Sequence, residues 1–195
     1  MSARCQSRQQ MSIEDYFAFE DRSAVKHEFA AGEVFAMAGA SERHNRISMN
    51  IAGALHQFTR RTKCSTLVSD MKVKIDQVIY YPDVLVACDA EDSAPYFKTA
   101  PSLIVEVLST STERIDRGEK LYNYRQIATL KAYVLVSQND VRVDVYRRAG
   151  SQWYFESYAD LSDSISLECP ETVISLADIY ERIGFPNPEI AVDAP

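Results

Sequence analysis

"PSLIVEVLST", residues 101–110, is a nearly unbroken apolar run with one acid set inside it. Leu103, Ile104, Val105, Val107 and Leu108 are branched aliphatics; Pro101 opens the run and Ser109-Thr110 close it. A strand covered on both faces reads this way, because neither side of its pleat meets water. Glu106 interrupts it. An isolated carboxylate in such a place is very costly, so Glu106 must be protonated, paired or bound to a metal.

Its flanks supply candidate partners. Upstream, "VIYYPDVLVACD" (78–89) reads as another strand, with Asp83 directly before the apolar Val84–Ala87. Twenty-two residues separate Asp83 from Glu106, a suitable span for neighbouring strands joined by a loop. Downstream, the polar link "STSTERID" leads into a helix, "RGEKLYNYRQIA" (117–128), that carries Lys120 and aligns Leu121, Tyr124 and Ala128 on one face. Two converging carboxylates suit a hard divalent ion, magnesium or manganese. A nearby ammonium can orient or help deprotonate a water, or stabilise charge growing on a phosphate. A plain Glu106–Lys120 ion pair is the competing explanation.

The remaining pattern alternates helices and strands. "SIEDYFAFE" (12–20) predicts a short helix capped by Ser12, and "VKHEFAAGEVFAMAG" (25–39) a hairpin turning at Ala31-Gly32. Ser41 caps a helix in which Ile47, Ile51, Leu55 and Phe58 recur at helical spacing. "STLVSDMKVKI" (65–75) and "KAYVLVS" (131–137) read as strands, "RVDVYRR" and "QWYFESY" as a hairpin around Ala149-Gly150-Ser151, and "LADIYERIG" as a terminal helix ending at Gly184. Hairpins together with crossovers predict an α/β fold on one mixed sheet. The expected organisation is a disordered tail over 1–11, a single domain over 12–185 and a C-terminal tail over 186–195.

Composition narrows the function classes. The net charge of -7 on 195 residues argues against a protein that coats nucleic acid with a broad basic face, and leaves room for an enzyme that meets DNA through one local cleft. No apolar run approaches the ~20 residues that span a bilayer, and the N-terminus lacks an apolar signal region, so a cytoplasmic protein without a membrane partner is expected. Cys5, Cys64, Cys88 and Cys169 form no C-x-x-C pair. That predicts reduced thiols, with neither disulfide framework nor zinc site.

"YYPDVLV", "PSLIVEVLSTST" and "DRGEKLYNYR", taken with the hairpin "KHEFAAGEVFAM" and the His-led helix "ERHNRISMNIAGAL", resemble the PD-(D/E)XK nuclease superfamily. The likeness is to its branch of stand-alone restriction-endonuclease-like proteins, and it runs from about Ser12 to Tyr180. One departure is that Leu108 stands where the motif lysine belongs; Lys120 resembles a lysine relocated to the following helix. Another lies near Ser137, where that branch usually carries an acid. The resemblance implies a restriction-endonuclease-like core and magnesium- or manganese-dependent hydrolysis of DNA. It makes Asp83, Glu106 and the Val107 backbone carbonyl metal ligands and gives Lys120 the water or the phosphate. Glu28 would complete the site and His44 would lie at the cleft; their plainer readings are a solvated hairpin residue and an exposed helix end. A homodimer is expected by analogy with two-sited cleavage of a duplex. Lys72 and Lys74 could meet phosphates or simply form a solvated strand face. A catalytically idle nuclease-fold binding protein, or a hydrolase of small phosphorylated molecules, remain the alternatives.

Overall fold

The computed structural model describes residues 10–185; the tail residues 1–9 and 186–195, Cys5 among them, lie outside the described residues. In chain order the elements are α1 (Ile13–Glu20), β1 (His27–Ala30), β2 (Glu33–Ala36), α2 (Glu42–Thr59), β3 (Ser65–Val68), β4 (Lys72–Ile75), β5 (Val78–Tyr80), β6 (Val84–Ala87), β7 (Phe97–Lys98) and β8 (Pro101–Leu108). Then follow α3 (Glu113–Ile115), a π-helical turn (Asp116–Lys120), α4 (Leu121–Tyr124), β9 (Ala132–Ser137), β10 (Val143–Ala149), β11 (Gln152–Tyr158), β12 (Ser164–Glu168), β13 (Glu171–Ser175) and α5 (Leu176–Ile179).

The main sheet has the strand order β11-β10-β9-β8-β6-β3, with β8 and β9 parallel and every other pair antiparallel. Parallel neighbours need a crossover, and residues 109–131 provide it through α3, the π turn and α4. All eight residues of β8 are buried, as its two-sided apolar pattern requires. The strand's period of two divides them. Leu103, Val105 and Val107 join Ile47, Ile51 and Leu55 of α2, the β12–β13 hairpin and α5 in one core layer. Ile104 and Leu108 join Tyr80, Tyr124, Tyr133 and Leu135 in the other. Leu103 is 1% exposed, and truncating it to Ala should cost about 2–5 kcal/mol by leaving a cavity.

A second sheet, β2-β1-β5-β4-β7, supplies Ala30, Val73 and Tyr80 to that second layer. The β1–β2 hairpin forms as its sequence suggests, and Ala31 and Gly32 both take positive φ (52° and 79°) in the two-residue turn. Ser12 and Ser41 cap their helices, accepting the amides of Asp15 and His44.

Several expectations need correction. The α/β class with a central mixed sheet stands, but the six-stranded sheet is joined by two more, one of five strands and the separate β12–β13 pair, a hairpin the sequence pattern did not reveal. The stretch 65–75 is two strands of different sheets, broken where Asp70 takes φ 132°. The stretch 78–89 is likewise split, at Tyr81-Pro82-Asp83, because Pro82 has no N–H to continue a ladder. Phe58 is exposed; the buried stripe of α2 follows the i+4 row from Leu55 to Thr59, whose hydroxyl meets Thr66. The helix after β8 ends at Tyr124, so Ala128 is exposed while Ile127 and Leu130 fill the core. The terminal helix closes at Ile179, short of Gly184.

The cysteine expectation also fails, since Cys64 and Cys88 form a disulfide. The β3–β6 register pairs Ser65 with Ala87, so one further step sets the two cysteines opposite each other. Their separation of 24 residues hides this in the sequence.

Candidate active site

Asp83 and Glu106 meet across the β6–β8 pair. The register that matches Val84 with Val105 carries Asp83 opposite Glu106 one step on. Asp83 Oδ2 accepts the Val107 amide at 2.7 Å, which fixes the carboxylate to the strand that bears Glu106.

Lys120 reaches the same point from the π turn. Its Nζ stands 3.1 Å from Glu106 Oε1, 2.9 Å from Glu28 Oε1 and 3.1 Å from Asp116 Oδ1. The Tyr124 hydroxyl donates to Glu106 Oε1 at 3.0 Å. Lys120 and Asp116 sit four residues apart within the wide turn, a backbone distortion frequent at functional sites. Asp116 Oδ1 is buried without a hydrogen-bond donor, the Lys120 ammonium lying off the bonding direction. Leu108, at the motif's lysine position, packs in the second core layer instead, so the cation arrives from the following segment.

Glu28 comes from the second sheet. The pairing of Phe29 with Ile79 brings β1 alongside β5, and the Tyr81 amide donates to Glu28 Oε1 at 3.2 Å. Glu28 is therefore not a solvated hairpin residue. His44, in the first turn of α2, places Nε2 at 3.3 Å from Asp83 Oδ2, so it is not simply exposed either. Lys72 and Lys74 lie instead over the Tyr81 and Phe97 rings, 5.1 and 5.5 Å from their centres.

The electrostatics follow from burial. Desolvation first, with Asp116, Asp83 and Glu28 adding to it, pushes Glu106 well above its ordinary pKa, while Lys120 pulls the other way. Burial would strip the Lys120 proton, but Glu106, Glu28 and Asp116 hold it well above its ordinary range. His44 shows the same contest: burial lowers it, and the hydrogen bond and charge of Asp83 with a hydrogen bond to the Val107 backbone raise it overall. Four carboxylates thus face one ammonium and one imidazole. Asp116 and Tyr124 were not anticipated; the i,i+4 spacing of Asp116 to Lys120 was the available signal for the former.

This fold, two strands presenting adjacent acids beside a buried lysine, is that of the restriction-endonuclease-like PD-(D/E)XK class. The chain belongs to the Uma2 family, described as "Putative restriction endonuclease", whose pattern matches residues 13–177. Two uncharacterized proteins of Synechocystis sp. are similar. One, slr1290, is 35% identical over 90% of this chain and 94% of its own; the other, sll1609, is 36% identical over 73% and 84%. Among solved structures, a "putative nuclease belonging to DUF820" from Anabaena variabilis superposes with a TM-score of 0.73 at 12% identity, covering 87% of this chain and 97% of that one. Among the described residues no helix is long and apolar enough to cross a membrane.

Proposed function

We propose that this protein is a magnesium- or manganese-dependent endonuclease that hydrolyses DNA phosphodiesters at the Asp83–Glu106–Lys120 site. The observation that carries the reading is the charge imbalance. Four acids, Glu28, Asp83, Glu106 and Asp116, face two cationic groups, Lys120 and His44, in a largely dry space. Burial and the neighbouring acids raise the Glu106 pKa, so without a further cation a proton on Glu106 offsets part of the deficit. A divalent cation matches that deficit, and oxygen-only donors suit a hard ion. The Glu106–Lys120 ion pair exists, but the same ammonium is shared with Glu28 and Asp116, and among the described residues Asp83 has only His44 as an ion-pair partner, so the cations are fewer than the acids.

Asp83, Glu106 and the Val107 carbonyl would hold the ion, with Glu28 completing the site. The ion would polarise the scissile phosphate and lower the pKa of a bound water. The chain's own residues do the rest. Val107 N–H and Tyr124 O–H hold the two carboxylates in place, so little reorganisation is needed when substrate arrives. Lys120, kept protonated by its acids, supplies fixed positive charge for a water or for the phosphate oxygens. His44 stands beside Asp83 at the head of α2, where it can donate to a phosphate oxygen. Ser41, Glu42, Arg43, Arg46 and Arg182 line a groove near the same helix end. Glu42 pairs with Arg46 at 2.6 Å, and three arginines against one glutamate leave a lining of net positive charge that suits backbone phosphates. A homodimer would let two sites reach both strands.

The test pairs metal binding with cleavage. Calorimetry with magnesium and manganese should show binding in wild type, alone or with DNA present, and none in Asp83→Ala or Glu106→Ala. Supercoiled and linear DNA should be cut only by wild type. Absence of metal binding with DNA added would overturn the reading and leave a structural ion-pair cluster. Competition by mononucleotides but not by DNA would assign the site to small phosphorylated molecules.

A further inference from the structure

We propose that Cys64, Cys88 and Cys169, once reduced, form a thiolate site for a zinc-class cation at the end of the sheet remote from Asp83. The three sulfurs lie within 4.8 Å of one another, and Cys169 Sγ is 3.3 Å from Cys88 Sγ. Zinc–sulfur bonds of ~2.3 Å in a tetrahedron set sulfurs roughly 3.8 Å apart, so Cys169 already stands near tetrahedral spacing from Cys88, while Cys64 and Cys88 must part by rotating their side chains once reduced. Soft thiolates select such cations over magnesium.

The site is built from three segments distant in sequence. Cys64 ends the α2–β3 link, Cys88 follows β6, and Cys169 lies in the β12–β13 turn. Asp83 precedes β6 and Cys88 follows it, so the two centres occupy opposite ends of one strand. Ser102, 5% exposed, donates to the Val86 carbonyl at 3.0 Å and to the Cys169 carbonyl at 3.4 Å, and lies 3.5 Å from Cys88 Sγ. Its single proton is shared between the two carbonyls, which ties the hairpin turn to β8 and β6 beside the Cys88 sulfur. All three cysteines are half-buried, and a water would supply the fourth ligand.

Oxidation state gates the site. In the disulfide form Cys64 and Cys88 spend their sulfurs on each other. A phosphine gives two electrons to that bond and takes the oxygen of one water to become its oxide; the two water protons complete the two thiols. Binding of the cation then releases the thiol protons. The loaded site would clip the β12–β13 hairpin to the edge formed by β3 and β6.

The experiment uses the full chain, reduced with a phosphine and desalted without air, titrated with zinc by calorimetry and with cobalt by absorbance. In Asp83→Asn, whose carboxylate site is expected to be silent, one equivalent should bind, and in wild type one equivalent should account for the whole near-ultraviolet sulfur-to-cobalt charge-transfer band, which carboxylates do not give. The band should be absent from oxidised protein and retained in Asp83→Asn and Cys5→Ser. Cys169→Ser should weaken zinc by more than the ~10–100-fold typical of losing an outer partner. If circular dichroism shows that variant misfolded, Cys64→Ser reads the same ligand loss. No charge-transfer band in reduced wild type, or an unchanged zinc affinity in a folded Cys169→Ser, overturns the proposal.

Discussion

Asp83 accepts the Val107 amide at 2.7 Å, so the first acid of the site is anchored to the backbone of the strand that carries the second. The carboxylate therefore has two separable tasks, one structural and one electrostatic. Asn at 83 can still accept the amide; Ala cannot. Asp83→Asn should keep wild-type urea stability to within about 1 kcal/mol, whereas Asp83→Ala should lose about 1–3 kcal/mol by orphaning the amide. Both should abolish magnesium and manganese binding by calorimetry. Retained binding in Asp83→Asn would remove this residue from the ligand set.

The raised pKa of Glu106 predicts an unusual pH profile for the metal-free protein. The folded state holds this proton more tightly than the unfolded chain, whose ordinary value is 4.5. The stabilisation is complete below that value and is lost as pH rises through the folded-state pKa. Urea unfolding in chelator should therefore show stability falling with rising pH over this window. Glu106→Gln should flatten the fall while keeping an acceptor for Tyr124 and Lys120. Magnesium should stabilise wild type increasingly as pH rises, because it replaces the proton.

How much of this was legible depended on whether the determinant was local. Glu106 announced itself because a carboxylate inside an apolar run contradicts its neighbours. Asp83 and Lys120 could be paired with it because one short loop and one short crossover separate them. The split at Tyr81-Pro82-Asp83 was hidden by hydrophobicity on both sides, although Pro82 carried the signal. The division into three sheets was not legible, since which strands pair is decided by packing against α2 and the tyrosine layer rather than by any strand's own pattern. Nor could Cys64 and Cys88 be paired from spacing. Glu28 was reached through resemblance alone; what fixes it, the Tyr81 amide and the Lys120 ammonium, comes from segments far along the chain.

His44 should titrate above its ordinary value of 6.5, since Asp83 favours the imidazolium more than burial opposes it. Two-dimensional NMR of the metal-free protein should show this as a late-titrating ring signal. Asp83→Asn removes the charge and should bring the value down. By linkage, the His44 contribution to stability is full below 6.5 and disappears as pH rises through the folded-state value. A His44 signal that titrates at or below 6.5 in wild type would show that burial outweighs the carboxylate.

Lys120 offers the sharpest separation of stability from chemistry. Its ammonium stands within 3.1 Å of Glu28, Glu106 and Asp116, all largely buried. Lys120→Met keeps the stem's volume and removes the charge, leaving three acids to repel one another. The cost should be about 3–5 kcal/mol in chelator, the usual penalty for breaking a buried pair from one side. Because the uncompensated charge grows, added magnesium should raise the melting temperature of Lys120→Met more than that of wild type. Cleavage should nonetheless fall by about 100-fold or more under saturating magnesium, as loss of one preorganised charge at a reacting phosphate predicts. If magnesium restores stability and cleavage together, Lys120 serves only to hold the acids. If it restores stability alone, the ammonium acts on the water or the phosphate itself.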